Sequence, residues 1–374
     1  MDEVDGLRGA VGAYPTADTY FFAVVGGLEG VYDFGSFHIY YLDDNWDNLG
    51  TIFLNHKYEN ISEETRRRIE RVIEELDYRP NRSAQRLKSS RSMLIGCCVG
   101  DLSGPFSGLL LRGITRVCEA AGYQVLFADS SEDKRKERKA LEGFLENSVD
   151  GLIVNTTGGN DAFLIEVAER GVPVTLADRS LRLSGRLDTV INEYETCIRD
   201  SIRLMLDCGY TRIAFFTEQI REVMPRIQRR DSYIAAMRSL APEGAGPFLY
   251  EFDRFDPVGC RRSLEAYRVA FPGERIAILA VNGVTGQQLL KAAKELGFRF
   301  GEQIGLCTFD DWAIFSLADV TAIRLQTEEV GEAAARMLLE RIGSAQPENM
   351  APRSVELTTG LIVRHSTAKA STGG

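Results

Sequence analysis

From Met93 onward, short continuous apolar runs alternate with longer stretches whose apolar positions recur at helical spacing. The run MLIGCCV has no polar alternation, the pattern of a strand covered on both faces. After it the pattern predicts a helix over 106–121, the strand QVLFADS, a charged helix near 132–146, the strand GLIVNT, a helix near 161–169 and the strand PVTLAD. A second series reads helix 194–208, RIAFFTE, helix 230–240, FLYEFD, helix 257–270, AILAVN, helix 286–296 and IGLCTF. The last part reads TAIRLQ, a helix over 327–342, then VELTTGLIVR. Such alternation means parallel sheets covered by helices, joined by right-handed crossovers. Two successive series predict an α/β body of two lobes, each a doubly wound parallel sheet. Ligands bind beyond the carboxyl ends of such strands, here in the cleft between lobes.

Upstream of Met93 the pattern changes. Ser62 is placed to cap a helix, with Glu63 and Glu64 in its first turn, where acids favour the dipole. Ile69, Val72, Ile73 and Leu76 form one apolar face, and Arg79-Pro80 ends the helix. Residues 81–88 predict a second, short helix with one large apolar residue, Leu87. A helix that short is marginal alone, so it is expected to form only against a partner.

Charge sharpens this picture. The chain carries net charge -10, yet Arg79, Arg82, Arg86, Lys88 and Arg91 follow one another with no acid between them. Such a cluster suits a phosphate backbone, where it releases counterions. A solvated linker charged for solubility is the competing reading.

The first fifty residues are unlike the rest. Arg8 is their only base against nine acids, and aromatic residues crowd between interrupting glycines. FFAVV and FHIYYL are candidate strands, and no helix with start and stop signals can be placed. This segment would repel phosphate, and it reads as poorly ordered or foreign sequence.

Composition narrows the function classes. A length of 374 suggests two or three domains, and 44% hydrophobic with 26% charged residues is ordinary for a soluble protein. Seven scattered cysteines without a CxxC pair point to reduced thiols in a cytoplasm. No apolar run is long enough to span a membrane, and the start MDEVDGLRG carries acids where an export signal carries bases. The three histidines (38, 56 and 365) form no paired metal motif. GxSxG, GxxxxGK[ST] and HExxH are all absent, and Gly158-Gly159 alone is too weak a phosphate cradle. No cofactor, metal or catalytic set is therefore expected, and an enzyme of sugar metabolism is disfavoured.

The stretch FLNHKYENISEETRRRIERVIEELDYRPNRSAQRLKSSRSMLIG resembles the end of the headpiece and the hinge of the LacI/GalR family of bacterial transcription regulators. The resemblance covers about residues 53–366, with hinge, ADR and FDD motifs in order at fitting spacing. VDGLIVNTTG, ADRS, AVNG and FDDW are most similar to the 2-keto-3-deoxygluconate-type (KdgR-like) repressors. The resemblance implies a periplasmic-binding-protein-like body preceded by a partial helical DNA-binding headpiece and a hinge helix. It implies that Asn55, Asn60, Ser62 and Thr65 touch phosphates, and that Asn81, Arg82, Ala84 and Leu87 lie in the hinge helix. Leu87 of paired hinges would wedge into a minor-groove step and kink the duplex. The expected partners are double-stranded operator DNA, a second copy of the chain in a homodimer, and a small effector, a sugar acid or ketogluconate. No membrane partner is expected.

One part of the family pattern is missing. The A-x-x-A-G-V-S-x-x-T-V-S-R type helix-turn-helix does not precede Phe53, and Thr51-Ile52 stand where Ser-Arg is expected. Base contacts specify while phosphate contacts position, so normal operator reading is expected to be impaired. A shifted or wrongly started reading frame upstream of about codon 52 would account for the segment. The expected domains are an atypical segment over 1–51, a residual headpiece helix over 52–78 and a hinge over 79–92. A first lobe over 93–190 with 321–345, a second over 191–320 with 346–366, and a tail over 367–374 complete the chain. A solute-binding protein with the same body and no regulatory role is the alternative; the basic hinge speaks against it.

Polar residues at strand carboxyl ends are the cleft candidates: Asp101, Ser103 and Phe106 after the first strand, Asp178 and Arg179 after PVTLA, Asn282 after AILAV, Asp310 and Trp312 after IGLCTF, and Gln326 ending TAIRLQ. Arg229 fits the family's effector-binding arginine. Its planar fork matches a carboxylate, which favours an acidic sugar. The sugar hydroxyls would suit Asp and Asn acceptors, and Phe106 or Trp312 could stack on a ring. Two positions depart from the resembling motifs: Gly104 stands in place of Asn, and Gly283 in place of the Asp that many members carry. Each candidate has a structural alternative. Asp178-Arg179 could pair locally, Asp310-Asp311 could cap a turn, Trp312 could be packing, and Arg229 could be surface charge.

Overall fold

The computed structural model describes residues 20–22, 31–33, 63, 67, 71, 91–182, 185–302 and 304–368. The chain divides into two units, Met1–Ser92 and Met93–Gly374. In the first, β1 (Tyr20–Phe22) pairs antiparallel with β2 (Val31–Asp33), so the start of FFAVV is a strand. FHIYYL, the Ser62 cap, the basic hinge up to residue 90 and all eight DNA-contact candidates lie outside the described residues. Glu63, Arg67 and Arg71 are helical, and Arg67 pairs with Glu63 at 2.7 Å across one helical turn. Both are exposed, so this pair adds little stability.

The second unit contains two six-stranded sheets. Its elements run β3 (Leu94–Val99), α1 (Pro105–Ala120), β4 (Gln124–Asp129), α2 (Lys134–Glu146), β5 (Gly151–Val154), α3 (Asp161–Glu169), β6 (Val174–Ala177) and β7 (Asp188–Asn192). The chain then crosses into α4 (Glu195–Asp207), β8 (Arg212–Glu218), α5 (Met224–Leu240), β9 (Phe248–Phe252), α6 (Gly259–Ala270), β10 (Ile276–Ala280) and α7 (Gly283–Glu295). It ends with β11 (Ile304–Phe309), α8 (Ala313–Leu317), β12 (Thr321–Arg324), α9 (Thr327–Gly343), β13 (Ser354–Leu357) and β14 (Gly360–Ile362).

The first sheet has the order β13-β7-β6-β5-β3-β4 and is parallel throughout. The second has the order β14-β12-β11-β10-β8-β9, with only β14 antiparallel. Each sheet carries a buried apolar cluster on both faces, so β3, β5, β10 and β11 are buried at every residue. That two-sided burial is why these strands read as unbroken apolar runs. All seven cysteines are free thiols, six of them buried. Among the described residues, no helix is long and apolar enough to cross a membrane.

The lobe boundaries differ from the sequence expectation. β12, in 321–345, does not belong to the first lobe: Cys307 pairs with Thr321 in parallel register, so TAIR completes the second sheet. α9 alone of that segment returns to the first lobe, where it packs on α1. Conversely, β13 in 346–366 pairs with β7 of the first sheet, and only β14 belongs to the second. The first lobe also extends to Asn192 instead of ending at 190.

β7 was not among the expected strands. Its sequence, DTVIN, has polar residues at both ends, and these are buried through specific bonds. Asp188, 1% exposed, accepts from Arg341 Nε at 3.0 Å, Arg341 Nη2 at 2.8 Å and the Arg353 backbone N–H at 2.8 Å. One carboxylate thus ties α9 and the start of β13 to β7. Burial opposes its charge, but the Arg341 and Arg353 bonds outweigh that and hold its pKa below the ordinary carboxylate value. Close approach of α9 to α1 needs Gly113 and Gly331, since a Cβ at either would collide with the backbone carbonyl of Glu328 or Leu110.

Candidate ligand-binding cleft

The carboxyl ends of both sheets face one cavity of about 80 Å³. Eight of the ten sequence candidates line it: Asp101, Phe106, Asp178, Arg179, Arg229, Asn282, Asp310 and Trp312. Two do not. Ser103 lies outside, donating its backbone N–H and hydroxyl to Asp101, each at 2.8 Å. Gln326 sits on the crossing from β12 to α9, where its backbone N–H meets Asn192 Oδ1 at 3.0 Å. Its position helps fix the connection between the lobes; it offers no side chain to the cavity.

The local backbone aims these groups. Asp178 follows β6 and Asp310 follows β11, and both take left-handed conformations, with φ of 65° and 68°. Such conformations cost about 1–3 kcal/mol for a non-glycine residue and cluster at functional sites. Asp178 Oδ1 accepts from Asn192 at 3.2 Å and from the Tyr194 hydroxyl at 3.4 Å. Asp310 Oδ2 accepts the Gly283 N–H at 2.8 Å. Burial raises the Asp310 pKa, more than neighbouring Arg229 lowers it. Asn282 caps α7 by accepting the Thr285 N–H at 2.9 Å, leaving its amide to donate to Glu218 at 2.7 Å. Arg179 does not pair with Asp178; it turns to Glu132 at 2.6 Å and to the Thr156 carbonyl at 3.0 Å. Asp311 leaves the cavity and pairs with Arg364 at 2.7 Å.

Arg229 is 5% exposed. Its guanidinium carbon lies 4.5 Å from the Tyr194 ring centroid and 4.2 Å from that of Phe309, a cation–π clamp. One nitrogen donates to the Val281 carbonyl at 2.8 Å, while Nε is buried without a hydrogen-bond partner. Burial lowers its pKa, but Tyr194, Asp178 and Asp310 together raise it further, so it holds its charge. Its surface-charge reading is therefore wrong: Arg229 is a buried, charged donor beside the cavity.

Several lining residues escaped the sequence reading: Glu132, Asn155, Glu218, Arg226 and Arg254. Glu218 is the last residue of β8, and Arg254 follows β9 by two, so the rule that picked Asp178 would have found both. Glu132 needed the fold. Ser131 and Glu132 are successive left-handed residues, and this turn brings the carboxylate back to Arg179. Arg226 was missed because α5 begins at Met224, well before the expected 230.

These residues join the lobes. Arg254 of the second lobe pairs with Asp101 of the first. Arg226 stands 3.4 Å from Glu132 and 3.1 Å from Glu218. Burial disfavours the Glu132 charge, yet Arg179 and Arg226 outweigh it and lower the pKa. Farther along the rim, Arg182 reaches Glu222 at 3.1 Å. The cavity wall thus holds four guanidinium groups and five carboxyl groups, dense in both donors and acceptors. No group of side chains suited to a metal ion occurs among the described residues. The arrangement fits a compact polar ligand that both donates and accepts hydrogen bonds.

Comparison with known proteins gives a consistent picture. Residues 92–243 match the family described as periplasmic binding proteins and sugar binding domain of LacI family, and residues 202–367 match the periplasmic binding protein-like domain. Residues 51–81 match the bacterial regulatory proteins, lacI family. The chain is 34% identical over 316 residues to the HTH-type transcriptional regulator KdgR of Bacillus subtilis (strain 168), covering 84% of this chain and 92% of that protein. It is 33% identical over 314 residues to the HTH-type transcriptional regulator PtxS of Pseudomonas aeruginosa, covering 82% and 88%. In fold it is similar to the lac repressor dimer bound to operator and the anti-inducer ONPF, with TM-score 0.71, 21% identity, and coverage of 85% of this chain and 94% of that one.

Proposed function

The chain belongs to the lacI family of bacterial regulatory proteins, and on that premise we propose that it is a transcriptional regulator whose cleft takes a sugar acid or ketogluconate. The observation that carries this reading is Arg229: a buried guanidinium with an unpartnered Nε beside the cavity. A ligand carboxylate there gains charge-assisted hydrogen bonds that a neutral sugar lacks. Asp178, Asn282 and Asp310 take ligand hydroxyls, and Phe106 and Trp312 cover the apolar side of the carbon chain.

On the DNA side, Asn55, Asn60, Ser62 and Thr65 contact phosphates, and Asn81, Arg82, Ala84 and Leu87 form a hinge that orders against a second copy of the chain. A homodimer in the cytoplasm on operator DNA is the working form. The effector acts by binding one lobe arrangement better than the other, since without that difference nothing shifts. Residues 1–51 lack the helix-turn-helix pattern, so operator selection by this chain is weak. No turnover of the ligand is involved.

Thermal unfolding of the full chain with D-gluconate, 2-keto-D-gluconate, 2-keto-3-deoxy-D-gluconate and D-glucose tests the reading. A true effector at a hundred times its Kd adds roughly 2.7 kcal/mol by mass action, enough to raise the melting temperature visibly. At least one acid should do so, and D-glucose should not. No shift with any acid would contradict it.

A further inference from the structure

We infer that Glu218 is a specificity-determining residue of this cleft, the acceptor that reads one particular hydroxyl of the ligand. The inference rests on the sugar-acid reading and goes on to name the group that Glu218 selects. Glu218 ends β8 and is 2% exposed. Its Oε1 is fully occupied, accepting from Asn282 Nδ2 at 2.7 Å and facing Arg226 Nη2 at 3.1 Å. Its Oε2 has no hydrogen-bond partner. Arg254 Nη1 stands 3.6 Å away, beyond hydrogen-bond length, while Nη2 of that guanidinium is held by Asp101. A carboxylate oxygen left bare in a buried site is costly, and such groups in native proteins call for an explanation.

The surroundings select what can satisfy it. A cationic donor is repelled by Arg226 and Arg254, which already flank the carboxylate. An anionic group is repelled by Glu218 itself and is drawn to Arg229. A neutral, compact donor remains, and a hydroxyl fits. Two residues of the cavity wall therefore carry unpartnered buried atoms of opposite sense, the donor Arg229 Nε and the acceptor Glu218 Oε2. One ligand that carries an acid at one end and a hydroxyl farther along satisfies both. A site built to hydrogen-bond a hydroxyl rejects the analogue lacking it far more strongly than an apolar pocket does, because the protein group is then left bare.

The test is isothermal titration of the full chain, wild type and Glu218→Gln, with D-gluconate and its 2-, 3-, 4-, 5- and 6-deoxy forms. For wild type, one deoxy position should weaken binding at least tenfold while the others change it little. Glu218→Gln should weaken D-gluconate about tenfold and bind that one deoxy acid no worse than wild type does. Equal affinity of wild type for all five deoxy acids overturns the inference, a result that needs no variant to fold. An equal loss in Glu218→Gln on every acid also overturns it, since that marks a structural role. If the chain binds D-glucose in place of D-gluconate, the sugar-acid reading fails, and the same comparison with deoxyglucoses decides Glu218 separately.

Discussion

The indole of Trp312 occupies the space beside Gly283: a Cβ at position 283 would stand 2.7 Å from the ring. A Cβ at Gly104, on the other lobe, would stand 3.1 Å from it. The indole thus fills the space beside both glycines, and it bridges the lobes in doing so. Trp312 is 6% exposed and stacks on Phe315 at 5.9 Å between centroids.

This tight fit predicts coupling. Gly283→Ala should destabilise the chain by about 1–3 kcal/mol, the usual cost of overpacking. Trp312→Phe, which removes the part of the ring nearest position 283, should recover a good part of that loss. Urea unfolding of both single variants and the double variant measures the coupling energy. Strict additivity would mean that the indole and position 283 do not compete for space.

The pairs Arg254–Asp101 and Arg226–Glu132 predict a charge-held closure. Asp101→Asn combined with Glu132→Gln should let the lobes separate, which raises the radius of gyration in X-ray scattering. Saturating effector should bring it back, because the ligand then bridges the lobes. A radius unchanged by the double variant would assign the closure to apolar contacts such as Trp312 alone.

Two aspartates predict opposite pH dependences. The folded pKa of Asp188 lies below its unfolded value, so its stabilisation is present above the ordinary carboxylate range and is lost as pH falls through the folded pKa. Asp188→Asn should cost about 3 kcal/mol near neutrality, as expected when one partner of a buried ion pair is removed, and less in acid. Asp310 is raised by burial, so its contribution is full below the unfolded value and is lost as pH rises through the folded one. Asp310→Asn, which keeps an acceptor for the Gly283 N–H, should therefore be as stable as wild type or more so at neutral pH, while binding effector less well. Urea titrations at pH 7 and pH 4 separate the two behaviours, and a matching pH trend for both variants would refute the assignment.

Much of this was legible in the chain because two-sided burial writes itself as apolar runs. β3, β5, β10 and β11 announced themselves in that way, and the alternation with helices gave both lobes. β7 did not, since DTVIN is held by Asp188, Asn192 and their distant partners, which no local pattern encodes. The final crossings were misassigned for the same reason: TAIR and SVEL are equally strand-like, and only pairing register decides which sheet takes each. In the cleft, residues directly following strands were readable, as Asp178, Asn282 and Asp310 illustrate. Glu132 was not, because it reaches the cavity through a left-handed turn and is recognisable only beside Arg179 and Arg226.

The central claim is that Arg229 makes this cleft a receptor for an acidic sugar. Isothermal titration of the full chain, wild type and Arg229→Lys, with D-gluconate, 2-keto-D-gluconate and D-glucose tests it most directly. The account predicts that wild type binds one of the acids and not D-glucose, and that Lys, a point charge without the planar fork, weakens the acid at least tenfold. Binding of D-glucose as tight as that of the acids, or an Arg229→Lys chain that binds the acid as well as wild type, would contradict it.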